Sequence, residues 1–247
     1  MDEIMLVSRI EDTVDLCDKR GYAHFLGFLD EGEQATVLRT LQNRPYVKWR
    51  LYGGYKDAER CFLGVFPSYM EPDTALFPIE TVAFFYRKER SLSHRDFLGT
   101  FMSQGVRREA IGDILCGEGY TVAFLKEDVT TYLCEQIDKI GGEGVRIVRD
   151  YAGELPLAHT FVPLRDTVSS PRLDAVVKAL IRCSREQASV LIRTESVSVN
   201  HRVATSVSIT VKPDTVLSVR GHGRFIVDEI GPETKKGRLH FAARKYV

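Results

Sequence analysis

Arginine is the residue type in this chain whose spacing could do chemistry by itself. From residue 172 onward the sequence supplies Arg172, Lys178, Arg182, Arg185, Arg193, Arg202, Arg220 and Arg224, with Ser184 and Asn200 as polar companions. A guanidinium presents a planar fork of donors that matches a phosphate, so cations at this density point to a polyanion. Seven of the fourteen basic residues in the last third fall between Arg172 and Lys212, which is denser than a merely solvated face requires. Arg220 and Arg224 bracket Gly221-His222-Gly223, a turn whose backbone can approach a phosphate closely.

Other chemistries fit less well. His94-Arg95-Asp96 has the form of a kinase catalytic loop, but the asparagine due five residues after the aspartate is Phe101. Asp96 stands three residues after Ser93, which makes it a helix-capping partner. Gly141-Gly142-Glu143-Gly144 follows a helical pattern and precedes a strand, the reverse of a dinucleotide loop. Gly53-Gly54 reads as a plain turn rather than a phosphate loop, since no P-loop lysine follows. The five cysteines, Cys17, Cys61, Cys116, Cys134 and Cys183, include no pair at CxxC spacing, so no metal site is expected and no cofactor is implied. Gly237-Arg238-Leu239 is followed by His240, where a pseudouridine synthase would need its catalytic aspartate. The expectation is a non-catalytic protein with no small-molecule substrate. The alternative is an RNA-modifying enzyme or accessory of the pseudouridine synthase or methyltransferase type, with a degenerate site between residues 79 and 150. His94, Arg95, Arg107 and Arg108 are a possible secondary contact for RNA or for a protein partner.

Charge distribution supports the nucleic-acid reading. The formal net charge is zero, but residues 1–168 hold 20 Lys/Arg against 27 Asp/Glu, whereas residues 169–247 hold 14 against 7. The basic third is what a polyanion would feel. The N-terminal MDEIMLVSRIED lacks the basic start of a secretory signal. No apolar run approaches the roughly 20 residues of a membrane helix. Dispersed cysteines fit a reducing compartment, and a cytoplasmic protein is expected.

The elements that must position these residues read as α+β. Residues 1–78 form a small α+β domain, with Asp30 and Glu33 capping a helix. Residues 79–165 form a ferredoxin-like, RRM-like domain in the order βαββαβ, its second helix capped by Asp128 and running to Ile140. Phe84, Tyr86, Tyr120 and Phe124 alternate on its strands, a pattern that base stacking could use but that packing against the N-terminal domain explains better. Residues 151–170 read as a proline-bearing linker. Residues 170–247 form a third domain of two short helices and a small β-sheet with a C-terminal β extension. Its first helix starts with Ser170 as cap and Pro171 inside, and carries Leu173, Val176, Val177, Leu180 and Ile181 as one apolar stripe. Ser184 and Gln187 make a capping box for the second. Strands follow at Val197–Val199, Val207–Val211 and Val216–Val219, with turns at Asn200-His201 and Pro213-Asp214.

Arg172-Leu173-Asp174, Ser184-Arg185, Ala188, Leu191-Ile192 and Val197, Val199, Asn200 together resemble the S-four-type RNA-binding domain, named after a small-subunit ribosomal protein. The chain departs from that pattern at His201, Pro213 and Thr194-Glu195-Ser196, where glycines are usual. Gly53-Gly54-Tyr55, Ala58-Glu59-Arg60, the run LSHRDFLGTFMSQGVRREAIGDIL and the GHGRF and KKGRL segments extend the likeness along nearly the full length. On these residues the chain is similar to the YlmH family of bacterial S-four-domain proteins. The resemblance implies binding to ribosomal RNA and tRNA on the 50S subunit, where a stalled peptidyl-tRNA remains. It also implies a part in ribosome-associated quality control with C-terminal tailing of the nascent chain, and a genomic link to cell-division clusters.

Overall fold

The computed structural model describes residues 3–56, 58–156, 161–200, 202–235 and 237–246. The chain divides into two compact units, Met1–Ala158 and His159–Val247.

The first unit is built in layers. Helices α1 (Glu3–Arg20) and α2 (Glu31–Leu41) cover one face of a three-stranded antiparallel sheet of β1 (His24–Leu29), β2 (Lys48–Tyr52) and β3 (Cys61–Phe66), in the order β1-β3-β2. Strand β3 is buried along its whole length because both of its faces are covered. Leu63 and Val65 point to the helices, where Leu6, Ile10, Val14, Val37 and Leu41 meet them. Phe62 and Phe66, offset by one residue, point the opposite way. There they pack on a second sheet, of β4 (Ile79–Phe85), β5 (Ile111–Cys116), β6 (Tyr120–Lys126) and β9 (Arg146–Val148). Its order, β5-β6-β4-β9, and its antiparallel pairs β4–β6, β4–β9 and β5–β6 give the ferredoxin-like topology. Helices α3 (His94–Ser103) and α4 (Glu127–Gln136) close the outer face. A small hairpin, β7 (Lys139–Ile140) with β8 (Glu143–Gly144), completes the unit.

The layering assigns the strand aromatics. Phe84 faces α3 and packs against Phe97 and Phe101, with ring centroids 5.6 Å from each. Phe124 faces the first sheet, is 1% exposed, and stacks on Tyr55 at 4.8 Å. At Gly54 (φ +100°) a Cβ would stand 2.4 Å from the Phe124 ring, so the Gly53-Gly54 turn lets the chain lie against that ring. Residues 1–78 thus share a core with residues 79–156. Helix α4 is shorter than its sequence pattern. Lys126, not Asp128, is its N-cap, and it ends at Gln136, leaving Ile137 and Ile140 buried beyond its end.

The second unit is a six-stranded sheet backed by α5 (Leu173–Ile181) and α6 (Arg185–Arg193). Its strands are β10 (Phe161–Val168), β11 (Val197–Val199), β12 (Arg202–Val203), β13 (Val216–Val219), β14 (Gly223–Glu233) and β15 (Leu239–Tyr246), in the order β10-β15-β14-β13-β11-β12. Leu173, Val176, Val177, Leu180, Ala188 and Ile192 meet Leu217, Val219, Phe225, Val227 and Phe241 in one core.

Three sequence expectations change here. The stretch read as a linker contributes β10, which pairs with β15 from Phe161↔Tyr246 to Val168↔Leu239. Pro163 is tolerated because β10 is an edge strand. Residues 157–160 of the expected linker lie outside the described residues. The N-cap of α5 is Arg172, not Ser170. Val207–Val211 is not a strand: the Val207 and Ile209 carbonyls accept from the Asp174 and Leu173 N–H groups, and Val211 N–H donates to the Pro171 carbonyl. Its apolar alternation covers the start of α5 and satisfies N–H groups that a helix leaves open. Glu195 (φ 57°), Asn200 (φ 46°) and Asp214 (φ 63°) adopt left-handed backbone, so two of the turns that depart from the glycine pattern keep a glycine-like conformation. His201 lies outside the described residues.

Candidate nucleic-acid interface

The basic residues of the second unit are organised by one buried carboxylate. Asp174 sits in the first turn of α5, and its side chain is 5% exposed. Arg185 Nε donates to Asp174 Oδ2 at 2.9 Å, while Arg172 Nε and Nη2 donate to Oδ1 and Oδ2 at 3.2 and 3.4 Å. Burial alone would raise this carboxyl, but the hydrogen bonds and charges of Arg185 and Arg172 outweigh it and hold the pKa below its ordinary value. The two arginines keep 41% and 52% of their side-chain surface exposed, so Asp174 fixes their direction without removing them from solvent.

Beside Arg185 lies a cavity of about 370 Å3, lined by Lys178, Arg182, Arg185 and Arg238 among others. Lys178 and Arg182 are exposed. Arg182 ends α5 in left-handed backbone (φ 52°). Arg238 enters from the turn before β15 and is held by Thr167 of β10. Its Nε donates to Thr167 Oγ1 at 2.8 Å and its Nη2 to the Thr167 carbonyl. Asp166 is the acidic residue among the cavity's lining. Four cations around one concavity with one carboxylate make an electropositive recess suited to phosphate groups.

The other predicted residues are distributed differently. Ser184 Oγ accepts from the Gln187 N–H in a complete capping box. Asn200 Oδ1 accepts from Val216 N–H at 2.9 Å, and its own N–H donates to the Val216 carbonyl, which ties the end of β11 to the start of β13. Both therefore have backbone-ordering roles of their own. Arg193 and Arg202 are exposed on α6 and β12, away from the cavity's lining. Arg220 is exposed at the β13–β14 turn, and Arg224 lies half-buried with its guanidinium 4.7 Å from the Tyr246 ring. Asp174 and Arg238 were missed by reasoning from sequence. Asp174 could have been found as a carboxylate within the buried set of an amphipathic helix, and Arg238 from the basic run it shares with Lys235.

In the first unit, His94 and Arg95 are exposed in the first turn of α3. Asp96 accepts from the Ser93 N–H and hydroxyl at 2.8 and 2.7 Å, the capping role its spacing indicated. Arg107 is exposed, whereas Arg108 is half-buried and donates to the Ile111 carbonyl. Burial, with Asp113 beside it, pushes the Cys61 thiol up to about 12, so it holds no thiolate nucleophile at neutral pH. Among the described residues, no group of three or more His, Cys, Asp or Glu side chains could hold a metal ion, and no helix is long and apolar enough to cross a membrane.

Residues 72–152 match the family described as the putative RNA-binding domain in YlmH, and residues 171–217 match the S4 domain. The S4 match covers α5, α6 and Asp174 but ends before Arg238. A Bacillus subtilis (strain 168) protein named ribosome-associated protein quality control protein P2 is 32% identical over 213 residues, 85% of this chain and 82% of that protein. A solved structure of cell division protein ylmH from Streptococcus pneumoniae aligns with 60% of this chain and 86% of its own, at 19% identity and a TM-score of 0.47. With both domains in place and a relative matched over most of its length, the chain belongs to the YlmH family of RNA-binding proteins with a C-terminal S4 domain.

Proposed function

We propose that the protein is a non-catalytic factor that binds RNA of the large ribosomal subunit, ribosomal RNA or the peptidyl-tRNA it carries, through the basic recess of its second unit. The observation that carries this reading is the convergence of Lys178, Arg182, Arg185 and Arg238 on one cavity, where Asp174 fixes Arg185 and one further guanidinium, that of Arg172. Guanidinium groups positioned on helices and strands bind phosphates with little ordering cost. The name of the Bacillus subtilis relative places that protein in ribosome-associated quality control. We assign the same cytoplasmic process here, with C-terminal tailing of the stalled chain as the step supported. The Gly237-Arg238-Leu239 segment favours binding over modification, because Arg238 lines the basic recess and the segment is followed by His240 rather than an aspartate.

Sedimentation tests the assignment. The protein should pellet with large subunits that retain peptidyl-tRNA and remain in the supernatant with small subunits at the same salt. Equal pelleting with both would contradict it.

A further inference from the structure

The first unit holds a cavity of about 360 Å3 where β1, the start of α2 and the turn Arg107–Ala110 come together. Two of its walls are the half-buried guanidiniums of Arg60 and Arg108. Arg60 Nε donates to the Ile111 carbonyl at 3.1 Å and its Nη2 to the Phe28 carbonyl at 2.7 Å. Arg108 Nη1 donates to the same Ile111 carbonyl at 2.5 Å. One shared acceptor therefore holds the two groups side by side, each pinned to backbone.

Neither arginine is in an ion pair among the described residues; both donate to carbonyls. The nearest buried carboxylate, Asp113, already accepts from Tyr55 Oη, Glu59 N–H and Arg60 N–H at 2.8, 2.7 and 3.1 Å. The cavity's own carboxylates are hydrogen-bonded elsewhere, while Asp30 and Glu33 also act on Arg60 through their charge. Glu109 accepts from Arg9 at 2.9 Å, and Asp30 and Glu33 cap α2 through each other's N–H groups. No nitrogen of Arg60 or Arg108 is sealed from solvent without a partner. Nη1 of Arg60 with Nε and Nη2 of Arg108 have no protein acceptor among the described residues and keep some solvent access, and both side chains line the cavity. Burial, then the adjacent Arg60 charge, lowers Arg108 to about 10, partly offset by the charges of Asp113 and Asp30, which leaves it charged at neutral pH. A fixed pair of like charges with unused donors is what an oxyanion relieves.

We propose that Arg60 and Arg108 form a phosphate-binding site in the first unit, separate from the basic recess of the second. The ligand is a phosphate group, either a free or terminal phosphate or a phosphodiester of RNA. The site draws together Ala58-Glu59-Arg60 and the Val106–Asp113 part of the long central motif, segments about fifty residues apart.

Arginine Nε–Hε resonances of the full chain test this. Inorganic phosphate and a short single-stranded RNA with hydroxyl ends are the two probes, against sodium chloride at matched ionic strength. The Arg60 and Arg108 resonances should shift saturably with one probe or both. A response to phosphate alone identifies a free or terminal phosphate, and a response to RNA alone a phosphodiester. Arg108→Gln, whose amide can still donate to the Ile111 carbonyl, should weaken the Arg60 response at least tenfold, while Arg238→Ala should leave the Arg60 response to inorganic phosphate unchanged. Saturation by neither probe beyond the chloride control overturns the site. If RNA then still shifts Arg185 and Arg238, the reading of the second unit stands without it.

Discussion

Asp174→Ala is expected to destabilise the second unit by about 2–4 kcal/mol, somewhat below the cost of breaking a fully buried ion pair, because Arg172 and Arg185 remain partly solvated. The carboxylate is the common acceptor of both guanidiniums and also accepts the Ala175 N–H at 2.9 Å. Amide exchange in α5 should report the loss. Fluorescence of Trp49, the chain's one tryptophan, should not move at the same denaturant concentration, since it lies in β2 of the first unit. The pH dependence has a definite sign. A carboxyl whose folded pKa is lowered contributes stability that is fully present above its unfolded value of about 3.9 and is lost as pH falls through the folded value. Wild-type α5 should therefore lose protection below about pH 4, a loss that Asp174→Asn should lack. Unchanged exchange in Asp174→Ala would show that the two arginines are oriented by something else. The cluster also makes Arg172→Ala with Arg185→Ala a poor probe of RNA binding, because that double variant strands a buried charge.

Asp113→Ala is expected to cost the first unit about 3–5 kcal/mol. The substitution leaves the Tyr55 hydroxyl and the Glu59 and Arg60 N–H groups without their acceptor, and takes a negative charge from beside Arg60 and Arg108. Chemical denaturation followed at Trp49 should show the midpoint falling. Asp113→Asn, which keeps one acceptor oxygen, should recover part of the loss. A change below about 1 kcal/mol in Asp113→Ala would mean that water replaces the carboxylate at little cost.

Both aspartates mark the limit of what the sequence made legible. Local signals were readable because their causes are local. The capping boxes at Asp30/Glu33, Ser93/Asp96 and Ser184/Gln187 all form, and the βαββαβ order folds into the expected sheet. Readings failed where a distant partner decides. Val207, Ile209 and Val211 alternate like a strand, yet their backbone pairs with the start of α5 and its preceding residue, which no local pattern encodes. Phe161–Val168 carries a proline and has little alternation, but β15 supplies its partner from the far end of the chain. The aromatics of the central strands divide between two faces, and only the covering first sheet shows why Phe124 is buried. The same holds for the recess. Lys178, Arg182 and Arg185 were visible from helix periodicity, whereas Arg238 joins them through Thr167, 71 residues away.

That recess is the centre of the functional account, and the salt dependence of RNA binding tests it most directly. Binding of a large-subunit RNA fragment should weaken with salt, log K falling by about 0.7–0.9 for each phosphate neutralised. The combined variant Lys178→Ala, Arg182→Ala and Arg238→Ala leaves the Asp174 cluster intact. It should bind more weakly at low salt and show a slope reduced by about two to three such increments. A folded triple variant with the wild-type affinity and the wild-type slope would contradict the account.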